Sequence, residues 1–393
     1  MRMRLPVFLL CFVTLLIVAL STGASIYYLL LLVMLMMLVT SVISVVLAVM
    51  TVKISMDTPR RKLSRGASAL LSVRVKYFGL LPTRSFQLVL SVPEDVNAQQ
   101  SIEVALMPFK EKQFQYEMSC PHRGLYHVGV VGVKVTDIFQ LISLKRKISG
   151  NQVLLEVRPN VTRIRPIELS SGDSEPTVIT RTTEDTASPS DVRNYQLGDP
   201  LKKIHWKLSI RKRELLVRNY EESSRPDTLI LVDLSPINSM RSQALTMQDV
   251  ICETAASIAH AQLSNNYPVR MPLMSAHPQE ASGQNELSFP RFLDALMRTE
   301  FDSPYPFEQV LTLEMRRMQR TGGAVLVTAR LTPRIADIAQ QLRRYGMQVS
   351  LYWITETRRA EALEMMERLS ILGIRTHRVD PWDKGLNEAN AAQ

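Results

Sequence analysis

The sequence predicts a multidomain protein built from an α-helical transmembrane hairpin, an all-β sandwich and an α/β doubly wound domain. Three observations carry this. Two long apolar runs, Leu5 to Leu20 and Ile26 to Val52, open the chain. From Ser68 to Pro159 apolar and polar residues alternate with period two, and beyond residue 226 short apolar runs alternate with segments of helical period. The chain has 393 residues and 46% hydrophobic content, more than one ordinary domain of about 150 residues needs. The expected divisions are residues 1–55 for two transmembrane helices, 65–160 for the sandwich, 161–190 for a flexible linker, 191–225 for a basic aromatic segment and 226–385 for the α/β domain.

The first run is apolar except for Thr14, and the second carries no charge over 27 residues. As a helix the second run is about 40 Å long, more than the roughly 30 Å hydrocarbon core, so it must tilt or protrude. Tyr27 and Tyr28 fall where an interfacial aromatic belt belongs. Leu5 to Leu20 follows Arg2 and Arg4 and precedes small residues, so a cleaved signal peptide is the rival to a retained helix. Under both readings the basic residues Lys53, Arg60, Arg61, Lys62 and Arg65 put the body of the chain in the cytoplasm, at the cell membrane. Residues 5–52 then contact membrane lipid.

In the second region Leu71, Val73, Val75 and Tyr77 take one parity while Ser72, Arg74 and Lys76 take the other, which is a half-buried strand. Similar runs at Phe86–Val92, Ile102–Leu106, Gln113–Met118, Tyr126–Val135 and Val153–Val157 predict an antiparallel, immunoglobulin-like (Ig-like) sandwich. Of residues 159–190, 15 of 32 are Ser, Thr or Pro, the composition of a tether.

Thr228–Val232 is a continuous apolar run of the kind buried on both faces of a parallel sheet. A helix over 246–264 follows, with strands at 269–274, 324–328, 348–354 and 375–379 and helices around 290–299, 306–320, 333–345 and 358–372. Gly322, Gly323, Gly346 and Gly373 are read as helix stops.

The formal charge of +10 and a pI near 9.6 suit a partner with a negative surface, whether lipid, nucleic acid or protein. Cys11, Cys120 and Cys252 form no even-numbered disulfide framework, which favours a reducing compartment.

Ligands of open α/β sheets sit beyond the carboxyl ends of strands. The loop after Val232 reads Asp233-Leu234-Ser235-Pro236-Ile237-Asn238-Ser239. Its D-x-S start resembles the metal-ion-dependent adhesion site of von Willebrand factor A domains, in which Asp and hydroxyl oxygens hold Mg²⁺. Ile237 stands at the third ligand position and offers no oxygen, and Arg330 follows the later strand where that family supplies an Asp. Metal binding at Asp233 and Ser235 is therefore set against a structural remnant, and no cofactor is expected.

Between Lys202 and Arg218 the segment 191–221 carries seven Lys or Arg against one acid, Glu214. Asp199-Pro200 reads as an N-cap and first helical residue. Leu201, Ile204, His205 and Leu208 then share a helical face, and Trp206 leaves that stripe to cover the sheet or the sandwich. Arg211 to Arg213 end the helix, and Glu214 to Tyr220 resume a strand. His205 with Asp191 or Asp199 makes an acid–base pair on paper, but no nucleophile elbow, phosphate loop or metal spacing accompanies it. The bland reading is a packed His, so the chain is expected not to be an enzyme, with an uncharacterised hydrolase kept as an alternative. Lys and Arg interleaved with Trp206 and Tyr220 also fit nucleic-acid binding, disfavoured by the membrane tether, or anionic headgroups.

The same residues resemble the signature of domain of unknown function 58, approximately R-x-Y-x-x-G-D-x-x-R-x-I-x-W-K-x-[ST] followed by a Leu-Val-Arg strand. Arg193, Tyr195, Gly198, Asp199, Ile204, Trp206, Lys207 and Ser209 match it, and Lys202 and Lys203 stand where Arg is common. Arg123-Gly124-Leu125-Tyr126 is similar to the family's R-G-x-Y element, and Asp137-Ile138-Phe139-Gln140-Leu141 to its D-P-F-G-L element, with Ile138 and Gln140 departing. The resemblance implies a bacterial, membrane-anchored, non-enzymatic adaptor with a von Willebrand factor A-like α/β domain that binds protein partners, among them a MoxR-type AAA+ ATPase. It further implies an interaction or locking role for Asp191, Arg193, Tyr195, Gly198, Asp199, Ile204, His205, Trp206, Lys207 and Arg218.

Overall fold

The computed structural model describes residues 5–81, 83–92, 101–150, 152–167, 189–195, 204, 206–220, 227–317, 321–356 and 360–382. Most of the expected tether, residues 168–188, lies outside them. By contacts the chain divides into two units, the first comprising residues 1–161, 237–256 and 293–300, the second 162–236, 257–292 and 301–393.

The first unit opens with helices α1 (Leu5–Thr22) and α2 (Ser25–Thr51), each long and apolar enough to cross a membrane. Gly23 takes a φ of 64° in the two-residue turn between them, a backbone conformation that favours glycine. Most of their Leu, Val, Ile and Met side chains are exposed, from Val7 through Met50. A soluble surface rarely presents so large an apolar area. The exceptions fall near the end of α2, where Val45 and Ala48 are fully buried in the core of the following domain. Arg146 also donates to the carbonyl of Val49 at 2.7 Å. The surplus helix length is thus taken up by protein, because the last two turns pack against strands.

The strands of the sandwich are β1 (Val52–Asp57), β2 (Lys62–Ser64), β3 (Ser68–Tyr77), β4 (Ser85–Ser91), β5 (Ser101–Val104), β6 (Glu111–Ser119), β7 (Gly124–Thr136), β8 (Ser143–Lys147) and β9 (Gln152–Arg158). β1 follows α2 with no intervening residue. One sheet has the order β1-β3-β6, and the other β2-β9-β7-β4-β5 with β8 also on β7. The ladders are antiparallel as expected, except that β2 pairs β9 in parallel. Leu71, Val73, Val75 and Tyr77 of β3 are buried, as the alternation predicts. Each such side chain contributes about 1.5–3 kcal/mol of transfer free energy.

Of the basic residues expected to flank the membrane, Lys53 lies in β1 next to α2 and the others follow that strand. Arg60, Arg61, Lys62 and Arg65 come after β1, a strand whose six residues span about 20 Å. Arg65 is committed to Asp249 at 3.2 Å and to Glu253 at 2.9 Å, and Lys62 to Glu156.

The remaining elements are β10 (Pro189–Asn194), α3 (Trp206–Lys212), β11 (Leu216–Tyr220), β12 (Asp227–Val232), α4 (Arg241–Ser264), β13 (Val269–Leu273), β14 (Gln279–Gly283), α5 (Phe289–Arg298), α6 (Phe307–Met315), β15 (Thr321–Thr328), α7 (Pro333–Arg344), β16 (Gln348–Ile354), α8 (Ala360–Ile371) and β17 (Arg375–Val379). Strands β12 to β17 form one sheet in the order β14-β13-β12-β15-β16-β17, parallel apart from β14 on β13. Counted by sequence this is 3-2-1-4-5-6, a doubly wound order whose direction of growth reverses between β12 and β15. Leu229 and Leu231 pack with Phe307, Leu311, Ile335 and Leu342 on one face, while Ile230, on the opposite face, is equally buried.

Gly346 and Gly373 end α7 and α8 with φ of 84° and 79°. Gly322 and Gly323 do not end a helix. α6 stops at Met315, and both glycines lie inside β15, where Gly323 pairs with Thr228 and Gln348. Tyr352 and His377, directly opposed on β16 and β17, stack with ring centroids 4.7 Å apart. Burial pushes the Tyr352 hydroxyl up to about 12 and, with Arg375 adding to it, lowers the pKa of His377.

Candidate functional site

In the segment that carries the basic signature, β10 and β11 form an antiparallel hairpin that opposes Val192 to Arg218 and Arg193 to Val217. The Tyr195 amide donates to the carbonyl of Leu215 at 2.8 Å. Ile204 is buried and bridges Val217 in extended form, so the helix begins after it, at Trp206, rather than at Pro200. Arg211 and Lys212 belong to the helix instead of ending it. Arg213, at a φ of 59°, closes it in the left-handed region. The buried Ser209 hydroxyl accepts the Leu216 amide at 2.9 Å and fastens α3 to β11, which gives a physical reason for a hydroxyl at the signature's last position.

Trp206, expected to cover a surface of the fold, is largely open to solvent. It is 56% exposed, and Ile210, one turn on, is 76% exposed. With the helix starting at Trp206, this residue occupies the first turn, and the inward positions go to Ser209 and the Ile204 bridge instead. Arg211, Lys212 and Arg213 are exposed beside it. Gly198, Asp199 and His205 lie outside the described residues, as do the side chains of Asp191, Arg193, Lys207 and Arg218. The expected ion-pair lock and the His205 acid–base pair rest on those atoms.

The second place is the carboxyl end of β12, at the reversal point of the sheet, where open α/β sheets collect ligands. The Asp233 carboxylate is buried. One oxygen accepts the Ser235 amide at 3.1 Å and the Ser235 hydroxyl at 2.6 Å. The other accepts the Thr328 hydroxyl at 2.7 Å, and that hydroxyl in turn accepts the Arg330 amide at 2.9 Å. The Arg330 guanidinium, about half exposed, stands 3.7 Å from Asp233. A cavity of about 290 Å³ opens here, lined among others by Asp233, Ser235, Tyr305, Glu308, Arg330 and Thr332. This donor set does not fit a divalent cation. The oxygens that would face it are turned onto one another, Ile237 has none to give, and a fixed positive charge occupies the approach. What the arrangement offers instead is a cation beside a small cavity whose lining mixes polar side chains with Pro236, Pro304, Pro306, Phe307 and Ile335.

Sequence reasoning missed a third cluster, within the first unit. Asp249 on α4 is almost fully buried and accepts the His122 ring Nδ1 at 2.7 Å, the Arg65 Nε at 3.2 Å and the Arg123 amide at 3.2 Å. Arg123 also donates to the carbonyl of Thr299, and the Tyr126 hydroxyl to that of His122. Gly124 sits at a φ of 137°, which explains the glycine of the R-G-x-Y element. Burial pushes the neighbouring Cys252 thiol up to about 11 and raises the pKa of Glu253. A thiol so protonated is a poor nucleophile, and the cluster has the closed geometry of a structural ion-pair network.

Among solved structures, the CARDB domain of PF1109 from Pyrococcus furiosus matches at 15% identity over 27% of this chain and 86% of that domain, with a TM-score of 0.20. Sporulation control protein Spo0M from Bacillus subtilis matches at 18% identity over 28% of this chain and 51% of that one, with a TM-score of 0.18. Overlaps of this size carry no information on activity. The curated Bacillus subtilis (strain 168) protein described as Uncharacterized protein YeaD is 25% identical over 234 residues, which is 57% of this chain and 55% of that protein, so the chain spans about half the length of this relative. Residues 191–363, from the β10–β11 hairpin to the first turn of α8, match the family model described as protein of unknown function DUF58.

Proposed function

We propose that the protein is a membrane-anchored, non-enzymatic adaptor, held at the cell membrane by α1 and α2 with its folded domains in the cytoplasm, and that its α/β region recognises protein partners. The observation that carries this reading is the outward face of α3. Trp206 and Ile210 are one helical turn apart, both more than half exposed, and bordered by Arg211, Lys212 and Arg213. Exposed Trp with adjacent Arg is the composition of an interface hot spot, and it lies within the stretch similar to the DUF58 model. The von Willebrand factor A-like reading of the α/β domain is supported by the D-x-S loop at the reversal point of the sheet, with Arg330 in place of a metal ion. By the resemblance of the signature, the partner is a MoxR-type AAA+ ATPase.

Co-purification of the full chain from mild detergent tests this. The wild type is expected to retain the ATPase, and Trp206→Ala with Ile210→Ser to lose it while the melting profile stays within about 0.5 kcal/mol of wild type. Reproducible failure of the wild type to retain any such ATPase, or another specific partner, counts against the reading. The same exposed Trp and basic residues favour one alternative, nucleic-acid binding that weakens steeply with salt. Its absence at about 50 mM salt removes that alternative.

A further inference from the structure

We infer that one end of the β-sandwich seats in the headgroup region of an anionic bilayer beside α2. This rests on the reading of α1 and α2 as membrane helices and extends it from the anchor to the folded domain. The register identifies the end concerned. Val52, the residue after α2, pairs with Tyr77 at the end of β3. The Tyr77 amide donates to the carbonyl of Lys110 at 3.1 Å, which brings the β5–β6 connection alongside. The Arg84 amide donates to the carbonyl of Thr136 at 3.2 Å, and Phe86 pairs with Val104, so the β3–β4 and β7–β8 connections stand at the same end. Three loops therefore gather where the helix enters the sandwich.

Each loop presents two large apolar side chains to solvent: Phe78 and Leu80, Met107 and Phe109, Ile138 and Phe139, between 40% and 74% exposed. Scattered single apolar residues need no explanation, but six on three adjacent loops form a patch. The backbone holds two of these loops in an unusual state. Phe109 and Gln140 have φ of 56° and 62°, in the left-handed region where a bulky side chain is an outlier. Such strain persists only where the surroundings impose it, and it collects at functional positions.

The charge at this end matches the proposed surface. Lys53, Arg84, Lys110 and Lys145 are exposed, with Lys53 lying 5.8 Å above the ring of Phe78. Of the nearby acids, Glu111 is held by Arg74 and Lys76, and buried Asp137 accepts the Phe139 and Ile142 amides within its own loop. Among the described residues, Glu103 is the other exposed acid close by. Apolar tips ringed by lysine fit the boundary between acyl chains and anionic headgroups, where the tips bury and the ammonium groups stay at phosphate level. A second protein would also cover an apolar patch, but the continuity of this end with α2 favours the bilayer.

The test uses the full chain in nanodiscs of phosphatidylcholine with phosphatidylglycerol, in a Cys11→Ser background whose other two cysteines, Cys120 and Cys252, are buried. An environment-sensitive dye is attached in turn at Met107→Cys, at Ser119→Cys on the opposite end of β6, and at Leu32→Cys in α2, with doxyl-labelled lipid as quencher. The inference expects a blue-shifted emission at 107 that the quencher largely abolishes, strong quenching at 32, and neither effect at 119. Quenching at 32 without quenching at 107 overturns the inference and leaves the anchor standing. No quenching at 32 overturns the anchor itself. A blue shift at 107 that lipid does not quench means that protein covers the tips, which also overturns it.

Discussion

Asp249 and Asp233 are both buried carboxylates with an arginine nearby, yet one is enclosed and the other opens on a cavity. Around Asp249 the partners arrive from Arg65, His122 and the Arg123 backbone, and the guanidinium is itself largely covered. Around Asp233 the described residues supply hydroxyl and amide donors, and the guanidinium of Arg330 remains about half exposed beside a cavity. Charge inventory alone does not separate a closed structural network from an arrangement that opens on a cavity. What separates them is whether the cation's remaining donors are already spent on the protein.

Three substitutions break or sharpen this comparison. Asp249→Ala leaves Arg65 and His122 without their shared acceptor in a buried setting and is expected to cost about 3–5 kcal/mol, read from denaturant unfolding of the detergent-solubilised chain. A loss no larger than that of an exposed pair would erase the distinction. Gly124→Ala beside that cluster meets no atom within 4 Å, so the backbone strain at its φ of 137° is isolated and is expected to cost about 1–3 kcal/mol. Arg330→Met is expected to change stability by about 1 kcal/mol or less, because its ion pair is long and half exposed, while weakening partner retention in the co-purification. Retention equal to wild type would show that the cavity is not used.

The smallest effect concerns pH. The folded-state pKa of His377 lies below its ordinary value of 6.5, chiefly through burial. The fold therefore favours the neutral ring, and its contribution is complete above about pH 6.5 and is lost as pH falls from there through the lowered pKa. His377→Phe keeps a ring against Tyr352 and is expected to flatten the fall in melting midpoint between about pH 7 and about pH 5. An unaltered slope assigns the acid sensitivity to other groups.

Much of the α/β sheet was legible because its strands are apolar on both faces and its helices keep their three-and-four spacing. β14 was not, since Gln279–Gly283 is an edge strand with Ala281 as its one buried apolar residue. β1 was hidden for the opposite reason: Val52 and Ile54 continue the apolar run of α2, and hydrophobicity does not mark where a helix becomes a strand. The Asp249 network joins residues more than 120 positions apart, a distance over which no periodicity operates. The signature was readable as a pattern, but its local geometry was not. Trp206 reads as a packing residue by type, whereas on α3 it is 56% exposed.

The direct passage of α2 into β1 sets how far the sandwich can move relative to that helix. A flexible tether of n residues gives its cargo a search radius of roughly 5–6 Å × √n, and here n is nothing, with Val45, Ala48 and Arg146 clamping the joint besides. The sandwich cannot sweep a volume in search of a binding companion. With α2 held in a membrane, as proposed, its encounters would depend on lateral diffusion of the whole molecule and on whatever comes up to it.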